Sequence, residues 1–263
     1  MNLSRTRIFA AGLALAATLA LAGCGAADKV ATSASAAEAV RQAGQQAADQ
    51  SHAFEMTIEM EMDGFGDIEM VMEGEIDAAS ERARVTMDFL GMDSEVITDG
   101  NTAYMSMDGG KQWIKQDVDV PEVDSPLNGG TYDATQQLAY LRAVSDDVKE
   151  EGSEKVRGRD TTRYSAFVPL EAIFEQFTGE DREMMEELSR YFQGEGFDMT
   201  VWIDNEGRPA KVEYGMDMDV EGSEVSATYV MEFFDWGRDV DIDLPPADKI
   251  VDAADADYSS LFN

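Results

Sequence analysis

Few side chains in this 263-residue sequence could form a catalytic or metal-binding centre. It contains one histidine, His52, and one cysteine, Cys24. A Ser-His-Asp triad or a Cys-His zinc site would have to use these two residues, because no second imidazole or thiol exists. The sequence has no Gly-x-Ser-x-Gly motif and no phosphate-binding loop. It therefore predicts a protein that is not an enzyme, with no metal ion and no cofactor, and with His52 on the surface where a strand begins.

Cys24 ends a segment that predicts a covalent lipid modification. The lipobox Leu21–Cys24 follows two arginines, Arg5 and Arg7, and a short apolar run over residues 8–21. This order is typical of a signal peptide, and the apolar run is short for a membrane-spanning helix. The motif resembles that of bacterial lipoproteins. The resemblance implies a diacylglyceryl group on Cys24 and an anchor on the extracytoplasmic face of the cell membrane. The alternative is an ordinary signal peptide followed by an unpaired thiol.

The charge of the chain excludes several classes of partner. The sequence has 54 acidic and 20 basic residues, and its formal net charge is −34. Cleavage before Cys24 would remove two arginines and no acid, so the mature chain would be still more negative. Such a surface has little with which to neutralise phosphates, so neither nucleic acid nor anionic lipid head groups are expected partners. We expect a monomer that is stabilised by a packed core, since one cysteine cannot form an internal disulfide.

Strict alternation of apolar and polar residues predicts long strands. Residues 53–63 read AFEMTIEMEMD, and residues 67–77 repeat the pattern after a glycine turn. Period-two alternation places the apolar side chains on one face, so these segments predict a half-buried hairpin with acidic residues outside. Helices are predicted over residues 36–50, 133–144 and 169–192. About eleven strands in consecutive runs, with helices in two inserts, predict an α+β fold with an antiparallel sheet.

Methionine is concentrated on the apolar faces of these predicted strands, where Val, Ile and aromatic residues are the commoner choice. Its side chain is flexible and recurs at surfaces that accept varied apolar partners. Two interpretations follow. The methionines either pack against the predicted helices, or part of their surface lines a cavity that holds an acyl chain.

Three segments, in order along the chain, resemble one family. They are residues 101–113 (NTAYMSMDGGKQW), 156–168 (VRGRDTTRYSAFV) and 199–211 (MTVWIDNEGRPAK). Together they resemble the LppX/LprG-type lipoproteins of actinobacteria and, more distantly, the LolA/LolB lipoprotein carriers. The resemblance implies an unclosed half-barrel, a long curved antiparallel sheet with helices on its concave face. It also implies a cavity for acylated molecules and no chemical step.

The lipobox, the residue composition and the resemblance, which covers about residues 36–245, together predict four parts of the chain. They are a signal peptide over residues 1–23, a lipidated cysteine and flexible tether over 24–35, a LolA-like lipid-binding domain over 36–245 and an acidic C-terminal tail over 246–263. A lipid or acylated ligand is the expected partner, together with the cytoplasmic membrane that the anchor contacts.

The acyl chains of this ligand are expected to lie against apolar residues of the strands and of a helical lid. These residues are Met56, Ile58, Met60, Met70, Met72, Met87, Met105, Ile173, Phe174, Phe177, Met199, Val201, Met216 and Met231. A rival interpretation is an envelope sensor or protein-interaction lipoprotein whose sheet is fully packed. A hydrolase that uses only carboxylates is a third, more distant one.

Overall fold

The alternating segments form one twelve-stranded sheet in the computed structural model. The model describes residues 33–62, 66–89, 92–117, 138, 140–175, 182, 186, 189–220, 222–253 and 256. The helices are α1 (Ser33–Ala48) and α2 (Leu170–Phe174). The strands are β1 (His52–Met62), β2 (Gly66–Asp77), β3 (Arg82–Phe89), β4 (Met92–Asp99), β5 (Thr102–Ser106), β6 (Trp113–Asp117), β7 (Lys149–Val156), β8 (Arg159–Pro169), β9 (Gly196–Asp204), β10 (Pro209–Val220), β11 (Ser223–Phe234) and β12 (Ile250–Asp252).

The strand order explains why the sheet does not close. It runs β12-β6-β5-β4-β3-β2-β1-β11-β10-β9-β8-β7, so β1 and β11 pair at the centre and β12 and β7 form the two edges. All neighbours are antiparallel except β12, which pairs parallel to β6. The expected α+β class, with a large unclosed antiparallel sheet, is confirmed. The expected number of about eleven strands omits β12.

The two predicted internal helices are described only in part. In the first, Leu138 and residues 140–142 are helical. In the second, the described residues comprise α2, the helical residues Arg182 and Glu186, and a 3₁₀ turn at Ser189–Tyr191.

We call the sheet face that carries Phe54, Met56 and Ile58 the inner face, and the opposite one the outer face. Helix α1 contacts β7, β8, β9 and β10. Its apolar stripe (Val40, Ala43 and Ala47) is completely buried.

The helix α1 lies close to the helical residues around Leu141. A Cβ atom on Gly44 would lie 2.8 Å from the Cβ of Leu141 and 3.1 Å from the carbonyl oxygen of Leu138. Glycine therefore permits an approach that any larger residue at position 44 would prevent.

The hairpin β1–β2 follows the register that its alternation predicts. Met56 pairs with Met72, and Phe54 pairs with Gly74. The ring of Phe54 covers this glycine, because a Cβ at position 74 would lie 2.2 Å from the ring. Phe54 is fully buried as a result.

A second cluster of buried residues lies on the outer face of β4–β6. Ile97 and Trp113 pack there against Val240 and Ile242, which follow β11 in the sequence. The guanidinium of Arg82 donates a hydrogen bond to the carbonyl oxygen of Ile242 at 3.1 Å. The C-terminal segment thus crosses this face of the sheet before it forms β12.

Candidate ligand-binding site

The inner face brings together most residues of the predicted ligand-binding set. Nine of them are buried in one apolar cluster: Met56, Ile58, Met70, Met72, Ile173, Phe174, Met199, Val201 and Met231. Three more are half-buried and pack against that cluster: Met60, Met87 and Met216. Met105 is half-buried and lies outside the apolar clusters. Phe177 lies outside the described residues, as does the predicted lipidation site Cys24.

Strand pairing arranges these side chains in rows across the sheet. One row joins Met87, Met72, Met56 and Met231, which are cross-strand neighbours on β3, β2, β1 and β11. The last three are buried, with at most 3% of each side chain exposed. This row therefore forms part of the packed core.

The inner face is less covered near the turn between β1 and β2. The row at this end joins Ile68, Met60, Ala227 and Met216. Ile68, Met60 and Met216 are only half-buried. The apolar face is thus partly exposed at Met60, Ile68 and Met216, whereas Ala227, Val225 and Met218 at the same end are buried.

A cleft of about 330 Å³ lies at this same end, where β9 and β10 separate. Their pairing runs from Pro209 only as far as Tyr214, which is opposite Met199. Beyond that point Gly196 and its neighbours pair with β8, and residues 215–217 pair with β11. The two strands therefore leave a gap in the sheet.

The segment before β9 borders this gap. The backbone N–H of Gln193 donates to the carbonyl oxygen of Asp217 at 2.8 Å, and Phe192 forms a bridge with Met218. The N–H of Leu170 donates to the carbonyl oxygen of Glu195 at 3.0 Å. These bonds hold the rim of the cleft in place.

The cleft has apolar and polar walls. Its apolar walls come from Leu170, Phe192, Phe197, Met216 and Ala227. Its polar groups come from Gln193, Asp198, Asp217, Ser226 and Thr228, and the hydroxyl of Ser226 donates to Asp217 Oδ1 at 2.7 Å. Its volume is at the lower end of the range for small-molecule sites, about 300–1,000 Å³.

The sequence-based set contains only one residue of this cleft, Met216. The others were missed because the gap arises from the divergence of two strands, which the alternation of each strand does not encode. A second, more open depression of about 570 Å³ lies beside the exposed Phe167, with Ser145, Asp146 and Asp147. It shares no residue with the apolar cluster of the inner face.

Aromatic rings connect the cleft to the core. Phe197 contacts Tyr214 at 5.1 Å between ring centroids, and Tyr214 stacks on Tyr229 at 4.8 Å. Tyr140 makes edge contacts with Phe197 and Tyr214. Burial raises the pKa of Tyr140 to about 12.

The expectation that His52 lies on the surface is wrong. Its side chain is fully buried and stacks on Trp236 at 4.3 Å between ring centroids. Its Nδ1 lies 2.8 Å from the carbonyl oxygen of Gln50, which can only accept, so Nδ1 carries the proton. Burial lowers the pKa of His52 to about 4. The imidazole is therefore a neutral member of the core.

Two further properties concern the described part of the chain only. No group of three or more His, Cys, Asp or Glu side chains there is placed to hold a metal ion. No helix there has the length and apolar character needed to cross a bilayer.

No protein-family model matches the chain, and no curated protein matches it. Solved structures that resemble it include the Mycobacterium tuberculosis lipoprotein LppX, with 11% identity, coverage of 79% of this chain and 97% of that chain, and a TM-score of 0.45. LprF from Mycobacterium bovis has 13% identity, coverage of 80% and 96%, and a TM-score of 0.44. A LolA-superfamily protein from Nitrosomonas europaea has 12% identity, coverage of 78% and 94%, and a TM-score of 0.34. These structures are similar to the chain in fold, at low sequence identity.

Proposed function

We propose that this protein is an extracytoplasmic lipoprotein, anchored to the cell membrane through Cys24, that binds lipid or acylated molecules and carries or presents them in the envelope. The observation that carries the proposal is the coincidence of two features at one end of the sheet. The inner-face residues Met60, Ile68 and Met216 are half-buried there, and the cleft between β9 and β10 opens beside Met216.

The physical basis is the transfer of hydrocarbon out of water. Each CH₂ group that a ligand buries contributes about 0.8 kcal/mol. Flexible methionines such as Met60 and Met216 can adapt to chains of different shape. Binding of this kind needs no chemical step, in keeping with a single histidine that is buried and neutral.

A matched pair of variants tests the binding proposal. Met216→Glu places a charge among the apolar walls of the cleft, whereas Val71→Glu makes the same kind of change at an exposed apolar residue of the outer face. Uptake of a fluorescent monoacylglycerol, an acyl probe without a charged head group, should fall at least tenfold in Met216→Glu, because a carboxylate must then be desolvated by the bound chain. Val71→Glu should bind like the unchanged protein.

Lipid extraction followed by mass spectrometry provides the second measurement. Protein purified gently from its native host should carry a lipid that the Met216→Glu variant lacks. If the unchanged protein carries no lipid and takes up no probe, the carrier proposal is refuted. Recovery of a stoichiometric protein partner in that case would favour the rival function, a sensor with a fully packed sheet.

The anchor has its own test. Cys24→Ala removes the only thiol to which a lipid could be attached. The unchanged protein should partition into the detergent phase of a Triton X-114 extract, and the variant into the aqueous phase. Identical partition of the two proteins would refute the lipid anchor without bearing on ligand binding.

A further inference from the structure

The two sides of the cleft differ in polarity because neighbouring residues of a strand point to opposite faces. Phe197, Met216 and Ala227 lie on the inner face, as their pairing with buried residues of the sheet shows. Asp198 and Asp217 are their immediate neighbours and lie on the outer face. The gap therefore leads from a rim with two carboxylates to an apolar interior.

These two carboxylates differ from Glu55 and Glu232, which lie on the same face of the sheet. Glu55 and Glu232 share the guanidinium of Arg157, at 3.2 and 2.6 Å. Asp217 instead accepts a hydrogen bond from a neutral hydroxyl, and no ion pair of Asp198 or Asp217 with a described residue is present. The rim thus keeps its negative charge in a protein that is itself strongly acidic.

We infer that the cleft binds an amphiphile whose apolar chain enters between β9 and β10 and whose positively charged head group stays at the rim, as in a long-chain ammonium compound. This inference rests on the proposed function and specifies its ligand. A carboxylate or phosphate head group would face Asp198 and Asp217 and be repelled.

Three amphiphiles with the same chain provide the test: dodecyltrimethylammonium, dodecyl maltoside and dodecyl sulfate. Their affinities are measured by isothermal titration calorimetry below each critical micelle concentration. The salt concentration is 0.15 M, which screens the general field of the protein beyond about 8 Å. The ammonium compound should bind about tenfold more tightly than the maltoside, and the sulfate more weakly than both.

Two double variants separate the rim from the overall charge. Asp198→Asn with Asp217→Asn removes two charges at the rim without changing side-chain size. Asp219→Asn with Glu224→Gln removes two charges from a cross-strand pair just beyond the cleft. The preference for the ammonium compound should disappear in the first variant and persist in the second. Equal loss in both variants would overturn the inference, because the overall charge and not the cleft would then attract the ligand.

A third variant, Met216→Trp, fills the cleft and distinguishes the possible failures. If it abolishes binding of all three compounds and they bind the unchanged protein equally well, the head-group inference fails and the lipid-binding proposal stands. If the unchanged protein binds none of the compounds, both fail. Circular dichroism and thermal unfolding of each variant confirm that the fold is retained.

Discussion

The largest apolar clusters of the two halves of the sheet lie on different faces, although Val156, Trp202 and Ala210 form a small cluster on the outer face of β7–β10. Under α1, strands β8–β10 bury apolar residues on the inner face, such as Val168, Met199 and Val201. In β4–β6 the outer face carries a core instead, where the C-terminal segment covers Ile97 and Trp113. On the inner face of this second half Val96 and Met105 are half-buried, whereas Ala103 and Ile114 are buried.

The face on which a side chain lies and the accessibility of that side chain are therefore two separate properties. Met199 and Met105 both occupy inner-face positions, and both were predicted to contact ligand. One is sealed in the core and the other is partly accessible. Alternation determines which face a side chain occupies, whereas the elements that pack on the face determine how much of it stays available.

The largest expected effect is the contrast between these two methionines. Met199→Ala should lower the free energy of unfolding by about 3–4 kcal/mol, because it leaves a cavity in a region that cannot collapse. Met105→Ala should cost about 1 kcal/mol or less, since its side chain is half-buried. Urea unfolding monitored by circular dichroism measures both. Equal losses of unfolding free energy in the two variants would contradict the difference in burial between Met199 and Met105.

The stability of the protein should also respond to acid through His52, which lies at the start of β1 beside Trp236. Its pKa is about 6.5 in the unfolded chain and about 4 in the folded protein. As the pH falls from 6.5 to 4, the unfolded chain therefore binds a proton that the folded protein does not, and the free energy of unfolding drops by about 3 kcal/mol. His52→Phe keeps an aromatic ring beside Trp236 but cannot be protonated.

The difference in stability between the unchanged protein and His52→Phe isolates this effect from the titration of the many carboxyl groups. Between pH 7 and pH 4 the free energy of unfolding of the unchanged protein should fall by about 3 kcal/mol relative to that of His52→Phe. Parallel pH profiles of the two proteins would contradict the buried, neutral state of the imidazole.

In the half formed by β4–β6, stability should depend on the C-terminal segment that follows β11. Ile242 is 1% exposed and packs on the outer face of β4–β6. Ile242→Ala should cost about 2–3 kcal/mol, because the segment can partly follow the smaller side chain. Asp241→Ala, at the exposed neighbour, should change stability by less than about 0.5 kcal/mol. If Ile242→Ala leaves the free energy of unfolding unchanged, the apolar cluster on the outer face of this half does not contribute to stability.

The smallest expected effect concerns the outer face where the halves meet. Glu59 on β1 is directly opposite Glu69 on β2, and both are exposed. Glu69→Gln should stabilise the protein by about 0.5 kcal/mol at low salt, since it relieves a like-charge pair. The gain should vanish in 1 M NaCl. Glu232→Gln, which removes a partner of Arg157, should not stabilise the protein at either salt concentration.

Local patterns in the sequence predict the strands well, because the alternation of apolar and polar residues depends only on the conformation of the strand itself. The alternation of residues 53–63 gives the inner face of β1, and the paired glycine turn gives the hairpin with β2. Features that depend on distant segments were missed. β12 has three residues, and its parallel pairing with β6 leaves no local signal. His52 is buried by Trp236, which lies far from it in the sequence.

The sequence predicted one part of the candidate site, the methionine-rich face, and missed the other part, the cleft. The methionine-rich face was identified because its residues share one side of each strand. The cleft was not, because it depends on where β9 and β10 stop pairing after Met199 and Tyr214. No pattern within either strand marks that point.

The pairing of β1 with β11 at the centre of the sheet has a consequence for biosynthesis. Each arm of the sheet grows from hairpins between neighbours in the sequence, whereas β1 must wait for one of the last strands to emerge. Until then one edge of β1 has no strand paired with it. Unpaired edges can pair with strands of other chains, which leads to aggregation. The row of glutamates along this strand, Glu55, Glu59 and Glu61, repels a second copy of itself. We expect this charge to limit association between growing chains before β11 is available.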